Sequence, residues 1–353
     1  MSGTKKKIVA ALIGSMAGVS GLAASTAILA YDAIFPRLNR PDYAITPGVF
    51  CYERVEDELS RKEFFYASGK NKLKGYYYET STSEAKGLVV VVHGFKSGSD
   101  NYLPITKYLV QHGYNVFSYD CTGTYDSEGD SNIGWCQQLV DLDRTIDYIQ
   151  RNSPYRNQPL FLLGHSWGGY AVTSVLSLKT GIRAVAGIAP MNNGSTIMIE
   201  KGEQYAGKLA YTSKPIFAAY QRFLFGDYVK ESGVKGINST DIPVLIAQGV
   251  DDKTITYDGQ SVMAHKSEIT NPNVQYYVGK GLQGSHDGIW KSKEALMYQS
   301  EIASELKLRE IEKGAELTYE EKVDFYKTVD HELYSAVNVE LMTQILEMFD
   351  GAL

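Results

Sequence analysis

Residues 160–178 constrain this chain more tightly than any other stretch. Leu160-Phe161-Leu162-Leu163 is an apolar run of strand length, and Gly164-His165-Ser166-Trp167-Gly168-Gly169 follows it without a spacer. A second apolar stretch begins inside that glycine-rich piece, and Trp167–Leu178 is predicted to be a helix. A buried strand that turns straight into a helix crowds the backbone around the apex, so only small residues fit two positions before and two positions after it. Ser166 is the apex; Gly164 and Gly168 hold the two crowded positions. Such a turn lifts the apical side chain clear of the sheet and sets it at a helix N-terminus, where free N–H groups favour developing negative charge. A serine held there is placed to attack a carbonyl. The competing account is a glycine-rich turn with an incidental serine.

The rest of the chain alternates in the same way. Glu63–Ala67 and Leu73–Glu79, joined by Ser68-Gly69-Lys70-Asn71, read as an antiparallel hairpin. Leu88–Val92 is a continuous run of the kind found in strands buried on both faces. Further strands are predicted at Asn115–Asp120, Leu160–Leu163, Ala184–Ala189, Val244–Gln248 and Val274–Val278. Between them lie helices at Ile105–Gln111 and Gln137–Arg151, the second with Leu139, Leu142, Ile146 and Ile149 on one stripe. Strands alternating with helices imply an α/β fold with a mostly parallel sheet and right-handed crossovers. The interval from Pro190 to Asp241 is too long for a connection and carries aromatic residues, among them Tyr205, Tyr211, Phe217 and Tyr220, at roughly helical spacing. It reads as a helical cap over one sheet edge, its aromatic residues either an apolar wall for an acyl or aryl group or the insertion's own core. The charged segment 292–324 is expected to form one or two surface helices, and Leu341–Phe349 a closing helix. The organisation expected is an N-terminal segment (1–30), a connector (31–60), a first core part (61–190), the cap insertion (191–240) and a second core part (241–353).

The 353 residues suffice for a large core. A net charge of −6, with no Lys/Arg block that resembles a nucleic-acid footprint, argues against DNA or RNA partners. Cys51, Cys121 and Cys136 show no metal-ligand spacing. Cys121 and Cys136 flank one loop and could pair in an oxidising space; the alternative is separate buried thiols. Lys5-Lys6-Lys7 precedes an uncharged stretch from Ile8 to Ala30, close to the roughly 20 residues that cross a bilayer. That pattern leads us to expect a membrane anchor with the catalytic domain outside the cytoplasm. Cleavage near Ser25-Thr26-Ala27, giving a secreted protein, is the rival reading, and N-terminal sequencing separates the two.

Serine needs a base, and the base needs an orienting carboxylate. Of the six histidines, His286 lies in Gly284-Ser285-His286-Asp287-Gly288, a loop just after the last predicted strand, from which it can reach back over the sheet edge. His265 and His331 read as surface residues, and His112 as the end of a helix. The acid should come from Gly249-Val250-Asp251-Asp252, at the carboxyl end of another strand. Asp252 is preferred, because a short turn after Gly249 aims it at the site; Asp251 is the alternative. An oxyanion needs two N–H donors. Trp167 supplies one, and the kink at Gly94 in His93-Gly94-Phe95 aims the Phe95 N–H inward as the second. His93 itself reads as a structural hydrogen-bonding residue.

These four pieces, in this order over about residues 60–290, resemble the α/β-hydrolase superfamily, and within it the branch of monoacylglycerol lipases, feruloyl-type esterases and serine aminopeptidase-like hydrolases. The resemblance implies Ser166 as nucleophile, His286 as base, Asp252 as the acid, oxyanion donors at Phe95 and Trp167, and a helical lid near 191–240. One departure is visible. Such proteins often carry Arg and Gly, then a second Gly, after the strand that ends at Asp120; here Cys121-Thr122-Gly123-Thr124-Tyr125 lacks the Arg and has Tyr125 in place of the second Gly. The expected function is hydrolysis of small to medium carboxylic esters, or of short peptide substrates, through an acyl-serine, with no metal or cofactor. A serine aminopeptidase using Glu200 or Glu203, a monoacylglycerol lipase and a catalytically silent binding module are the rivals. The sequence carries no reading of oligomeric state.

Overall fold

Five consecutive apolar residues, Leu88–Val92, have no polar face to offer water, and all five are buried. They form the centre of an eight-stranded sheet. The computed structural model describes residues 28–29, 31–46, 51–152, 155–194, 196–197, 200 and 214–353. The strands are β1 (Ser60–Ser68), β2 (Asn71–Glu79), β3 (Leu88–Val92), β4 (Asn115–Tyr119), β5 (Leu160–His165), β6 (Ile182–Ile188), β7 (Val244–Gly249) and β8 (Val274–Gly279). Their spatial order is β1-β2-β4-β3-β5-β6-β7-β8. The hairpin β1/β2 and the β2/β4 pair are antiparallel, and every other pair is parallel.

The described helices are α1 (Leu103–Gln111), α2 (Gln137–Arg151), α3 (Trp167–Ser174), α4 (Lys214–Phe225), α5 (Gly233–Asn238), α6 (Lys293–Lys313), α7 (Tyr319–Tyr326), α8 (His331–Ser335) and α9 (Val339–Asp350). They cover the sheet on both faces. The stripe Leu139, Leu142, Ile146 and Ile149 of α2 joins α3 in one core layer. Leu103, Ile105 and Leu109 of α1 join Leu341, Ile345 and Phe349 of α9 in the other. A sheet covered on both sides needs apolar residues on both sides of each strand, which is why β3, β4, β5 and β7 are buried throughout.

The strand order also locates the site. From β3 the chain moves outward to β4 and then returns to place β5 on the other side of β3. Where the winding reverses, the loops leaving β3 and β5 diverge and open a crevice at the carboxyl ends of the strands. Those are the loops that carry Phe95 and Ser166.

The chain ahead of β1 packs into this core. Tyr31 and Phe35 are fully buried. Phe35 lies 5.3 Å from Phe95 and 5.1 Å from Trp135, ring centre to ring centre, while Tyr31 lies 5.5 Å from Tyr220 of α4. Phe35→Ala should therefore destabilise the protein by about 3–5 kcal/mol, the usual cost of emptying a buried aromatic site, read as a lower urea midpoint with an unchanged slope. The apolar stretch ahead of Tyr31, where we expected a membrane anchor, lies almost wholly outside the described residues. Among the described residues no helix is long and apolar enough to cross a membrane. The three cysteines are free and buried. Cys121 Sγ lies 3.2 Å from Thr124 Oγ1 and Cys136 Sγ lies 3.6 Å from the Tyr170 hydroxyl, so the two thiols occupy separate polar niches.

Candidate active site

The turn from β5 into α3 has the crowding that its glycines imply. A Cβ on Gly164 would stand 2.3 Å from the Gly168 carbonyl oxygen, and a Cβ on Gly168 would stand 2.1 Å from the Val92 carbonyl oxygen. Ser166 takes φ +57°, ψ −112°, a conformation that costs a residue with a Cβ about 1–3 kcal/mol. Its N–H is held by the Ile188 carbonyl at 2.8 Å, and its own carbonyl accepts from the Tyr170 N–H at 2.9 Å. The strained apex is thus clamped from the neighbouring strand and from the first turn of the helix.

Side chains separated by more than a hundred residues meet at this apex. Ser166 Oγ is 2.8 Å from His286 Nε2, and His286 Nδ1 is 2.7 Å from Asp252 Oδ2. A carboxylate only accepts hydrogen bonds, so Nδ1 carries the proton and Nε2 is left as the acceptor for the serine hydroxyl. The Asp252 side chain is fully buried. Its Oδ1 accepts from the N–H groups of Thr254 and Ile255, both at 2.8 Å, and Gln248 Nε2 donates to Oδ2 at 2.9 Å. Asp251 is exposed and its side chain lies against Gly284, so of the two neighbouring acids only Asp252 reaches the imidazole. Phe95 and Trp167 flank the apex, and their N–H groups have no acceptor among the described residues.

A buried polar network ties the three loops together. The Gly94 N–H donates to the Tyr102 hydroxyl at 3.0 Å, and that hydroxyl lies 2.8 Å from His165 Nδ1. His165 Nε2 lies 3.1 Å from the His286 carbonyl oxygen and donates to it. The loop after β3, the apex and the loop after β8 therefore share one chain of hydrogen bonds. Burial, then the adjacent His286 ring, push His165 down to about 4. Burial likewise pushes His93 down to about 4. His93 accepts from the Cys121 N–H at 3.0 Å and lies 2.8 Å from the Gly94 carbonyl, the structural role expected of it. Both rings are neutral at pH 7, and neither is hydrogen-bonded to Ser166 Oγ, which His286 Nε2 contacts. His112 ends α1, His265 contacts Glu268 at 2.7 Å, and His331 meets Arg54 at 2.8 Å, all away from the apex.

The loop after β4 departs from the pattern of similar proteins, and the chain ahead of β1 compensates. Tyr125 adopts φ +47°, as the glycine it replaces could, and its hydroxyl donates to Asn101 Oδ1 at 3.1 Å. Arg40, from the segment before β1, ion-pairs with Asp100, contacts the Tyr76 hydroxyl at 2.7 Å and lies 3.8 Å from buried Asp120. A guanidinium thus stands over the end of β4, although the residue after Asp120 is Cys121.

Ser166 and His286 open into a cavity of about 430 Å³, with Phe95, Tyr102 and Trp290 among its walls. The described residues of the 191–240 insertion do not line it. Their aromatic side chains pack elsewhere: Phe217 and Tyr220 against Tyr31, and Tyr228 with its hydroxyl on Asp143. Among the described residues the aromatic walls of that cavity come from other loops; Tyr205 and Tyr211 of the insertion lie outside the described residues. A second cavity, about 760 Å³, is lined by Glu200, Lys214 and Asp251 and does not reach Ser166. Glu200, considered above as a possible amine ligand, accepts there from Thr256 Oγ1 at 2.7 Å, and Glu203 lies outside the described residues. One group of metal-type ligands exists among the described residues, His165, His286 and Asp287, with donor atoms within 4.8 Å of one another. All four of its ring nitrogens already have the partners given above.

Solved structures share this architecture. The Pyrococcus furiosus esterase Pf2001 superposes with a TM-score of 0.52 over 77% of this chain and 95% of its own, at 19% identity. The chain has the α/β-hydrolase fold. Est1E of Butyrivibrio proteoclasticus, solved with ferulic acid bound, is similar over 70% of this chain and 99% of its own, with a TM-score of 0.51 and 17% identity. At such identities the likeness is one of fold. A family model described as serine aminopeptidase, S33 matches residues 83–221. Among curated proteins, the lysophosphatidylserine lipase ABHD12 of Danio rerio is 24% identical over 62% of this chain and 58% of its own. The YfhR protein of Escherichia coli K12 is 28% identical over 34% of this chain and 44% of its own. The chain spans about half the length of the curated relatives it matches.

Proposed function

We propose that this α/β-hydrolase is a serine hydrolase of carboxylic esters. The observation that carries the reading is the unbroken hydrogen-bond relay from Asp252 through His286 to Ser166 Oγ, at an apex whose backbone is strained. Ser166 Oγ attacks the ester carbonyl carbon as its proton passes to His286 Nε2. Asp252 holds the imidazole in the required tautomer and stabilises the imidazolium that forms. The tetrahedral oxyanion accepts from the Phe95 and Trp167 N–H groups, which are preorganised by the loop after β3 and by the first turn of α3. The C–O bond to the leaving alcohol breaks, and His286 returns the proton to that alcohol. Water, deprotonated by the same imidazole, then attacks the acyl-serine and frees the acid. No step requires a metal.

Esters rank ahead of amides because, among the described residues, no buried carboxylate faces the Ser166 cavity to bind a free amino terminus; Asp287, the acid that lines it, is 70% exposed. The name of one relative, a lysophosphatidylserine lipase, leaves a lysophospholipid lipase as the second reading, beside the monoacylglycerol lipase considered from the sequence. A fluorophosphonate probe tests the proposal. Wild-type protein should label stoichiometrically and Ser166→Ala should not. Equal labelling of both, or of neither, would leave a binding module with a hydrolase fold.

A further inference from the structure

The cavity around Ser166 carries charge that acyl transfer itself does not use. Two lysines line it. Lys96 follows the oxyanion donor Phe95 in the loop after β3, and Lys291 closes the loop after β8 that carries His286. In the sheet β3 and β8 lie on opposite sides of β5, so the two lysines approach the apex from its two flanks. Lys291 Nζ sits 5.1 Å over the Trp290 ring and Lys96 Nζ 5.6 Å over the Phe95 ring. Neither ammonium has a carboxylate within ion-pair distance among the described residues, whereas other lysines of this chain, such as Lys74, Lys107 and Lys179, do.

Lys291 is only half exposed, and its ammonium is pushed below the usual lysine range by burial, which nearby Asp287 offsets only in part. A cation withdrawn from water with no counter-charge is costly, and a ligand that brings the opposite charge removes that cost. Lys96 has φ +57°, a backbone conformation unfavourable for a residue with a Cβ, so its side chain leaves the loop in a direction that the fold must enforce. Asn101, also in the cavity wall, accepts through Oδ1 from the Gly98 N–H and the Tyr125 hydroxyl, which leaves its amide N–H₂ as a further donor.

We propose that this cavity selects esters carrying an anionic group, a phosphate or a carboxylate, near the scissile carbonyl, with Lys291 and Lys96 as the partners of that group. The proposal rests on the serine ester hydrolase reading and names its substrate class. Asp287 contributes one opposing charge at the rim, where its exposure to water screens it.

Matched short esters test it: 1-hexanoylglycerol, 1-hexanoylglycerol 3-phosphate and the hexanoyl ester of lactate, assayed with the full chain at low ionic strength. At least one anionic ester should exceed the neutral one in kcat/KM by about tenfold or more, expressed mainly in KM, as expected for charge-assisted hydrogen bonds. Which anionic ester leads distinguishes a phosphate site from a carboxylate site. The anionic-to-neutral ratio should fall about fivefold or more in Lys291→Gln and in Lys96→Gln, further in the double variant, and recover in Lys291→Arg. Because it is a ratio, it does not depend on the fraction of each variant that folds. A ratio at or below one in the wild type, with the neutral ester turned over, overturns the anionic subsite alone; so does an unchanged ratio in the double variant. Absence of turnover of all three esters, together with absence of fluorophosphonate labelling, overturns the hydrolase reading and this proposal with it.

Discussion

Ser166→Ala should lower kcat on an ester by at least about 10⁴-fold, His286→Ala should do nearly the same, and the double variant should be no worse than either. The relay acts as a unit: without the hydroxyl the imidazole has no proton to take, and without the imidazole the hydroxyl stays protonated at neutral pH. Residual turnover would come from the Phe95 and Trp167 N–H groups and from substrate binding, which neither substitution removes. Both side chains sit at a cavity surface and not in a packed layer, so the variants should keep their thermal midpoints. Steady-state kinetics on a p-nitrophenyl ester, with calorimetry on the same samples, checks both statements. Losses that multiply in the double variant would show that Ser166 and His286 act independently, contrary to the 2.8 Å contact between them.

Gly168→Ala should have the second largest effect, on fold and activity together. The added methyl would meet the Val92 carbonyl oxygen at 2.1 Å, the Val92 carbonyl carbon at 2.7 Å and the His93 carbonyl oxygen at 2.8 Å. All three are backbone atoms and cannot swing aside as a side-chain tip can. Either β3 and its loop move away from α3, or the turn opens. Overpacking of this kind costs about 1–3 kcal/mol and more where the neighbour is rigid. Any shift of the Val92–His93 backbone also moves Phe95, and a displacement of about 1 Å at a reacting centre costs about 10²-fold in rate. We expect a lower thermal midpoint and a matching loss of kcat in the protein that still folds. Gly351→Ala, whose methyl would meet only the Glu347 carbonyl at 3.3 Å, serves as the comparison and should leave both near wild type.

Much of this was legible because it depends on local patterns. The strand at Leu88–Val92 and the helix at Gln137–Arg151 occur over the residues their apolar patterns indicate, since an unbroken apolar run marks a strand buried on both faces and a 3.6-residue period marks one buried face of a helix. The turn at Ser166 was legible for a harder reason: a Cβ at Gly164 or Gly168 would overlap backbone, so the residue types record the geometry directly. Asp252 could be preferred over Asp251, but both follow the same strand, and the preference became a contact only once the turn directed one side chain inward and left the other exposed.

Other features carried no local signal. Tyr102 and Gln248 are ordinary residues of a loop end and a strand, and their roles arise only when they meet His165 and Asp252. Phe35 and Arg40 lie in a proline-containing stretch that reads as a connector, yet they pack against Phe95 and stand over Asp120. The aromatic residues of the insertion suggested a substrate wall or a core of their own, and Phe217 and Tyr220 pack around Tyr31, because spacing along a helix shows that a face is apolar and not what covers it.

By itself the sequence determined the alternation of strands and helices, the tight turn around one serine, and the order in which serine, acid and histidine occur, because each is written in residue size and periodicity over a few neighbouring positions. Only the tertiary structure decided which acid faces the imidazole, what braces the loops around it and which charges line the cavity. Those depend on side chains far apart in the chain arriving at the same point, and no short stretch of sequence encodes that distance.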